Sequence, residues 1–473
     1  MAPSFSNEHI LWWLYSLPTI VTLDDISTNI TYWASFTIGL FFCFGLMAWA
    51  ISPPGGPTWS NWRNQMARVA ILGPRGLPIF GSLFTLSRGL THRTLDCMAQ
   101  TRAAHKPFMR LSLGSTPLVF TSDPEVAREI LTSPHFADRP IKQSAKQLMF
   151  SRAIGFAPSG AYWRLLRKIA ASHLFVPKRI SAHEGAHMSA YASMINLIFK
   201  EQSLHGLVSL RKHLQKASLN IMGNVFGKTY DLTNENINQE FKELHELVKE
   251  GFELLGAFNW SDHLTWLENI YDPCRVVHRC SKLVPQVQNF VRNIIYEHRN
   301  HRMNRNDSSE NFDFVDVLLS LDGEEKLAED DMIGVLWEMI FRGTDTIALT
   351  IEWIIAELIL NPTMQSKLQN EIDKAIIDGP TISSIARLPY LQAVVKETLR
   401  LHTPGPLLSW ARLSTTDVHL ARGMVVPLGT TTMINMWSIT HDPNVWDEPL
   451  VFKPERFVES EGGIDVDIRG SDL

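Results

Sequence analysis

Three short stretches of this chain hold residue types that can act together chemically. The first is "FRGTDT", residues 341–346. Gly343 in a helix interior costs about 1 kcal/mol relative to alanine, and the Thr and Asp beside it are poor helix formers, so the stretch gives up local stability. A glycine that opens room beside a helix, followed by an acid and a hydroxyl, suits a site where a bound ligand is fed protons. Asp345 would relay from solvent, and Thr346 would hydrogen-bond the bound species. A kinked core helix with a self-bonded threonine accounts for the same residues. Arg342 reads as an i,i+4 partner of Glu338.

The second stretch is "KETLRLH", in which Glu397 and Arg400 lie three apart on one helical face. The same spacing occurs at Glu125 and Arg128, and an exposed pair of this kind contributes little. Its meaning changes with Arg456 in the later "PERF": one carboxylate and two guanidiniums could form a buried, bidentate cluster, tolerable inside a protein only when complete. The third stretch is "YWRLLRK", which puts Trp163 and Arg167 on one face. An indole N–H and a guanidinium there can hold a cofactor's carboxylate, whereas a core Trp with Arg snorkelling past it is the structural alternative.

These residues need a large scaffold, and 473 residues with 45% apolar and 20% charged content supply one. A net charge of −5 argues against a nucleic-acid partner. The four cysteines, Cys43, Cys97, Cys274 and Cys280, are too few and too irregularly spaced for a disulfide framework or a zinc site and read as reduced thiols. From Tyr32 to Ile51 runs an uncharged stretch of bilayer-spanning length, with Asp24 and Asp25 before it and Arg63, Arg68 and Arg75 after it. That asymmetry predicts the C-terminal bulk in the cytosol, and the long acidic leader favours an uncleaved anchor over a signal cleaved at the small-x-small Ala48-Trp49-Ala50.

The predicted organisation is a leader on the lumenal side at 1–31, a transmembrane anchor at 32–51, a Pro/Gly hinge at 52–82 and a catalytic domain at 83–473. "FMRLSLGSTPLVFTS" predicts a hairpin over 108–122, and Asp123 with Pro124 opens the next helix. Helical periodicity dominates to about residue 404, with a polar linker at 298–313. Residues 330–360 predict one long helix whose second half, apolar almost all round, is expected to be buried. Strand-like pieces follow residue 404. The fold class is mainly α, a large helical domain with small sheets attached.

In this order, the anchor, the Pro/Gly hinge, W-R-x-x-R, G-T-D-T, E-T-L-R and P-E-R-F resemble a microsomal cytochrome P-450, a haem-thiolate monooxygenase. "EMIFRGTDT", "RLHTPGPLLSWARLS" and "MINMWSITHDPNVWDEPLVFKPERF" look like the plant A-type branch linked to organ growth, with Arg342 standing where Ala or Gly is usual. The resemblance implies haem b, with Trp163 and Arg167 holding one propionate, Arg412 another, and Gly343 among the cofactor-binding residues. It implies Asp345 and Thr346 in proton delivery, and Glu397, Arg400 and Arg456 as a structural triad. It also implies NADPH electrons through a reductase docking near Arg164 and Lys168, residence in the endoplasmic reticulum membrane, and insertion of one oxygen atom from O2 into an apolar substrate such as a fatty acid.

In the family, P-E-R-F is followed by F-x-x-G-x-R-x-C-x-G, whose cysteine is the axial iron ligand. Here no cysteine follows Cys280. The expectation is therefore a chain truncated before that loop and the following helix, without a haem-thiolate centre and with an apolar face of the central helix uncovered. A peroxide-rearranging isomerase or dehydratase is disfavoured by the retained Asp345 and Thr346. The other alternative is a non-catalytic, membrane-anchored binding protein.

Overall fold

The computed structural model describes residues 25–52, 55–56, 58–59, 71–87, 89–100, 108–228, 235–268, 271–304, 313–375, 382–408, 411–464 and 466. The chain divides into two units, Met1–Ser52 and Pro53–Leu473. The first holds helix α1 (Asp25–Ile51), within which Tyr32–Ala50 is long and apolar enough to cross a membrane. Trp33, Phe36, Phe41 and Phe42 are exposed along it. The helix starts inside the stretch assigned to the leader, because Asp25–Thr31 carries no breaker. The rest of the predicted leader and much of the predicted hinge lie outside the described residues.

In the second unit α2 (Thr91–Gln100) precedes strands β1 (Phe108–Leu113) and β2 (Thr116–Thr121), which form the expected antiparallel hairpin. Gly114 makes its turn at φ +56, where a Cβ would lie 2.5 Å from the His263 carbonyl oxygen. Asp123 caps α3 (Pro124–Thr132) by accepting from the N–H groups of Glu125 and Val126, as predicted. The helical body follows: α4 (Ala161–Ile169), α5 (Glu184–His205), α6 (Leu210–Val225), α7 (Glu235–Gly256), α8 (Val276–Asn304), α9 (Phe314–Ser320), α10 (Glu329–Leu360), α11 (Pro362–Ala375) and α12 (Pro389–Leu401). Helix α8 extends into the predicted linker as far as Asn304, and residues 305–312 lie outside the described residues.

Strands β3 (Arg412–Leu413) and β6 (Thr431–Ile434) join the hairpin in a sheet of order β1-β2-β6-β3, with β2 and β6 parallel, while β4 (Val418–His419) pairs with β5 (Val425–Val426). Small sheets thus attach to a helical body, as the sequence predicts.

The long helix is observed as α10, 32 residues, hence about 48 Å. The half of it that is buried is the first, not the second as its composition suggests, and an apolar face of the second half is uncovered. Met332 to Phe341 form most of its buried run, whereas Ile347, Leu349, Trp353, Ile359 and Leu360 in the second half are exposed. Apolar composition reports what a face can bury, and the first half wins because α6, α7 and α8 converge there. Phe341 stacks on Phe252 of α7 with ring centroids 3.9 Å apart and packs near Trp337 and Phe150. Each fully buried side chain of this size stabilises the fold by about 1.5–3 kcal/mol.

Glu397, Arg400 and Arg456 come together as the sequence suggests. The Glu397 carboxylate accepts from Arg400 Nε at 2.7 Å, Arg400 Nη2 at 2.8 Å, the Lys453 N–H at 2.9 Å and Arg456 Nε at 3.4 Å. Arg400 Nη1 donates to the carbonyls of Thr440 and Pro449, both at 2.8 Å, and Arg456 Nη2 to that of Glu448 at 2.8 Å. One acid thereby pins α12 to the chain after Thr440. The other E-x-x-R acid, Glu125, pairs instead with Arg422 at the surface.

Glu397→Ala strands two guanidiniums whose side chains are 3% and 9% exposed. A loss of about 3–5 kcal/mol is expected. Glu125→Ala, at an exposed pair, should cost about 1 kcal/mol or less. Chemical unfolding midpoints of the two variants check this contrast.

Candidate functional site: a cationic cavity against the central helix

Helix α10 supplies Glu338, Met339, Arg342, Gly343 and Ile347 to one wall of a cavity of about 790 Å³. The opposite walls come from the loop at Ile154 and Gly155, from α4 and the turns after it, from α6 and from the start of α9. That size lies within the usual range for small-molecule sites.

The loop at 154–155 is the joint of the site. The Gly155 N–H donates to both Glu338 oxygens at 3.0 Å, the Gly155 carbonyl accepts from Arg139 Nε at 3.2 Å, and the Ile154 carbonyl accepts from Trp163 Nε1 at 3.0 Å. Trp163 therefore spends its indole N–H on the backbone and offers the cavity its ring, over which the Arg167 guanidinium sits at 5.3 Å. Arg139 is brought beside Arg412 because Asp138 bridges to Leu413, whose N–H donates to the Asp138 carbonyl at 2.8 Å.

Arg139, which sequence reasoning missed, is the most perturbed member. Burial first, and then repulsion from Arg412, Arg167 and Arg342, push its pKa down to about 10. Its Nη1 is buried without a hydrogen-bond partner among the described residues. Burial also lowers the pKa values of Arg412 and Arg342. Four guanidiniums thus share one neighbourhood in which Asp138 and Glu338 are the nearby acids. Such a cradle fits added carboxylates. The sequence signal was the "ADRP" stretch, whose arginine has no periodic partner to mark it.

Gly343 lines the cavity, but the room beside it is taken: a Cβ there would lie 2.2 Å from the Met222 sulfur, so the glycine admits α6 against α10. Asp345 is partly buried, and its Oδ1 accepts from Gln215 Nε2 at 2.8 Å. Thr346 is exposed, and its hydroxyl donates to the Arg342 carbonyl at 2.9 Å, the self-bonded arrangement considered from sequence. Arg342 Nε meets Glu338 at 3.0 Å, the predicted i,i+4 pair. The anticipated docking face has its Lys168 paired with Glu325 at 2.6 Å. None of the four cysteines lines the cavity. Cys43, Cys97 and Cys274 are exposed, and Cys280 is buried in the core, where burial pushes its thiol pKa up to about 11.

The far wall carries two stacked imidazoles, His183 and His187, with centroids 6.2 Å apart. Burial lowers both pKa values below 6.5, helped for His183 by Arg179 and for His187 by His183. Both are neutral at pH 7. As pH falls through the ordinary imidazole range, the unfolded chain takes up protons that the folded protein refuses, so stability present above that range is lost toward the lowered folded values. Replacing both by leucine should flatten the decline in unfolding temperature from about pH 7 to about pH 5. A pH series of melting curves reads this directly.

Residues 71–470 match the sequence profile of the family described as cytochrome P-450. The chain is 55% identical over 469 residues to cytochrome P-450 78A11 of Oryza sativa subsp. japonica, covering 98% of this chain and 84% of that protein. It is 56% identical over 482 residues to cytochrome P-450 78A7 of Arabidopsis thaliana, covering 99% and 87%. A solved zebrafish cytochrome P-450 structure with progesterone superposes with a TM-score of 0.65 at 24% identity, over 81% of this chain and 89% of that one, which shows the shared fold. The profile match and the plant relatives, together with the helical body and its attached sheets, establish that this chain belongs to the cytochrome P-450 family of haem monooxygenases.

Proposed function

We propose that this chain binds haem in the cationic cradle and belongs to an oxygenase reaction on an apolar substrate, a fatty acid or similar molecule. The observation that carries the reading is the convergence of Arg139, Arg167 and Arg412, short of counter-charge, beside a cavity built on α10. Arg167 and Arg412 would each hold a propionate, with Arg139 between them and the Trp163 ring supporting Arg167. The chemistry haem supplies when bound is reductive activation of dioxygen. No sulfur ligand is assigned from this sequence.

The protein's own part lies in protons and shape. A hydroxyl has one donor and two acceptor sites, so Thr346, while donating to the Arg342 carbonyl, can still accept from a bound species and can rotate to donate. Asp345, held by Gln215, sits next to it on α10 and would exchange protons with solvent. Electrons would come from NADPH through a reductase at the α4 face. Helix α1, with the charge asymmetry around it, supports a single-pass anchor in the endoplasmic reticulum membrane with the second unit cytosolic.

The second reading is a non-catalytic membrane-anchored binding protein, which the cationic cavity and the apolar helix α1 also fit. Haem titration of the full chain in lipid bilayers, followed by absorbance, separates the two. Saturable uptake is expected, weakened about tenfold in an Arg139→Gln, Arg167→Gln variant. Uptake unaffected by those changes would sink the cradle. Uptake with no oxygenated product when NADPH and reductase are supplied would leave the binding reading.

A further inference from the structure

Strand β1 turns Met109, Leu111 and Leu113 to one face and Phe108, Arg110 and Ser112 to the other. The first set enters the core with Leu118 and Phe120. The second set is covered by the chain that follows α1. Ser112 Oγ donates to the Gly55 carbonyl at 2.7 Å, Trp59 Nε1 to the Leu111 carbonyl at 2.9 Å, and the Arg110 N–H to the Leu72 carbonyl at 3.0 Å. Gly55, at φ +92, lies directly on the arginine stem: a Cβ there would come within 2.5 Å of Arg110 Cγ.

Arg110 is only 3% exposed, and its guanidinium lies over the Trp59 ring at 5.2 Å. Burial alone pushes its pKa down to about 10, with no carboxylate to offset the loss of water. Nε is buried without an acceptor among the described residues, whereas the two Nη atoms, which also meet no protein acceptor there, keep contact with solvent. Arg400 and Arg456 are buried to a similar degree and share Glu397. Arg110 thus has the desolvation of such a cluster without its anion, and the tip of its fork is open.

The sequence indicates which anion is at hand. Gly55 follows Ala50, the end of the membrane-length stretch, by five residues. From Ile26 to Leu95 there is no Asp or Glu, while Arg63, Arg68 and Arg75 come after the stretch. A segment so placed and so charged meets the phosphates of the cytosolic leaflet, and a phosphate offers a guanidinium fork two oxygens at once.

We infer that Arg110, backed by the Trp59 ring, binds the phosphate of an anionic phospholipid headgroup. The inference rests on the reading of α1 as a membrane anchor. The same phosphate chemistry could come from free phosphate, and the test separates the two sources.

The probes are dihexanoyl phosphatidylglycerol, dihexanoyl phosphatidylcholine and inorganic phosphate, titrated calorimetrically against the full chain in a neutral detergent. The parent should bind the glycerol lipid about tenfold more tightly than the choline lipid, whose headgroup carries its own cation. Arg110→Gln and the apolar Arg110→Met should both lose that preference. Neither should lower the unfolding temperature without lipid, because each removes a buried charge that has no partner acid. Arg128→Gln, at an exposed arginine, should keep the preference. Equal affinity of the parent for the two lipids would overturn the inference, as would a preference that survives in both Arg110 variants. Inorganic phosphate bound as tightly as the glycerol lipid would overturn the headgroup assignment in favour of free phosphate. Release of the chain from vesicles by high salt would sink the anchor reading, and the dissolved lipids would still report on Arg110.

Discussion

Glu338 sits fully buried on α10 and accepts from the Gly155 N–H and from Arg342 Nε. A carboxylate that deep is stable only with its partners in place, so the loop at 154–155 must lie against the helix. That loop in turn holds Arg139 through the Gly155 carbonyl and Trp163 through the Ile154 carbonyl, and Trp163 carries Arg167. The cationic side of the cavity is therefore assembled outward from one acid. A change at Glu338 would displace residues that it never touches.

Cationic crowding normally costs stability, and here burial adds to it, since Arg139 is desolvated as well as repelled by three like charges. Proteins tolerate this where a ligand supplies the missing anions. The guanidiniums come from different layers of the fold: Arg412 lies at the sheet, whereas Arg342 lies on α10.

The two E-x-x-R pairs show what a motif carries. Glu397 and Arg400 have the same spacing as Glu125 and Arg128, yet one acid is 0% exposed in a four-donor cluster and the other reaches to Arg422 at the surface. Spacing states that two side chains share a helical face. Whether that face is buried depends on Lys453 and Arg456, more than fifty residues away, arriving on it.

The sequence alone determined what is local: the β1–β2 hairpin, the Asp123 cap, the apolar helix at Tyr32–Ala50, the long helix α10 and the Glu338–Arg342 pair within it. Each follows from backbone preferences or from neighbours within a turn, which a one-dimensional pattern records. Packing decided the rest. Met222 fills the space beside Gly343, Gln215 holds Asp345, the Trp163 N–H goes to Ile154, and the exposed half of α10 is the half whose composition suggested burial. Arg139 joins the site because Asp138 pairs with a strand at Leu413 and the Gly155 carbonyl accepts from its Nε. Such contacts join residues far apart in the chain, and their energies depend on which surfaces meet, which no spacing within a single segment encodes.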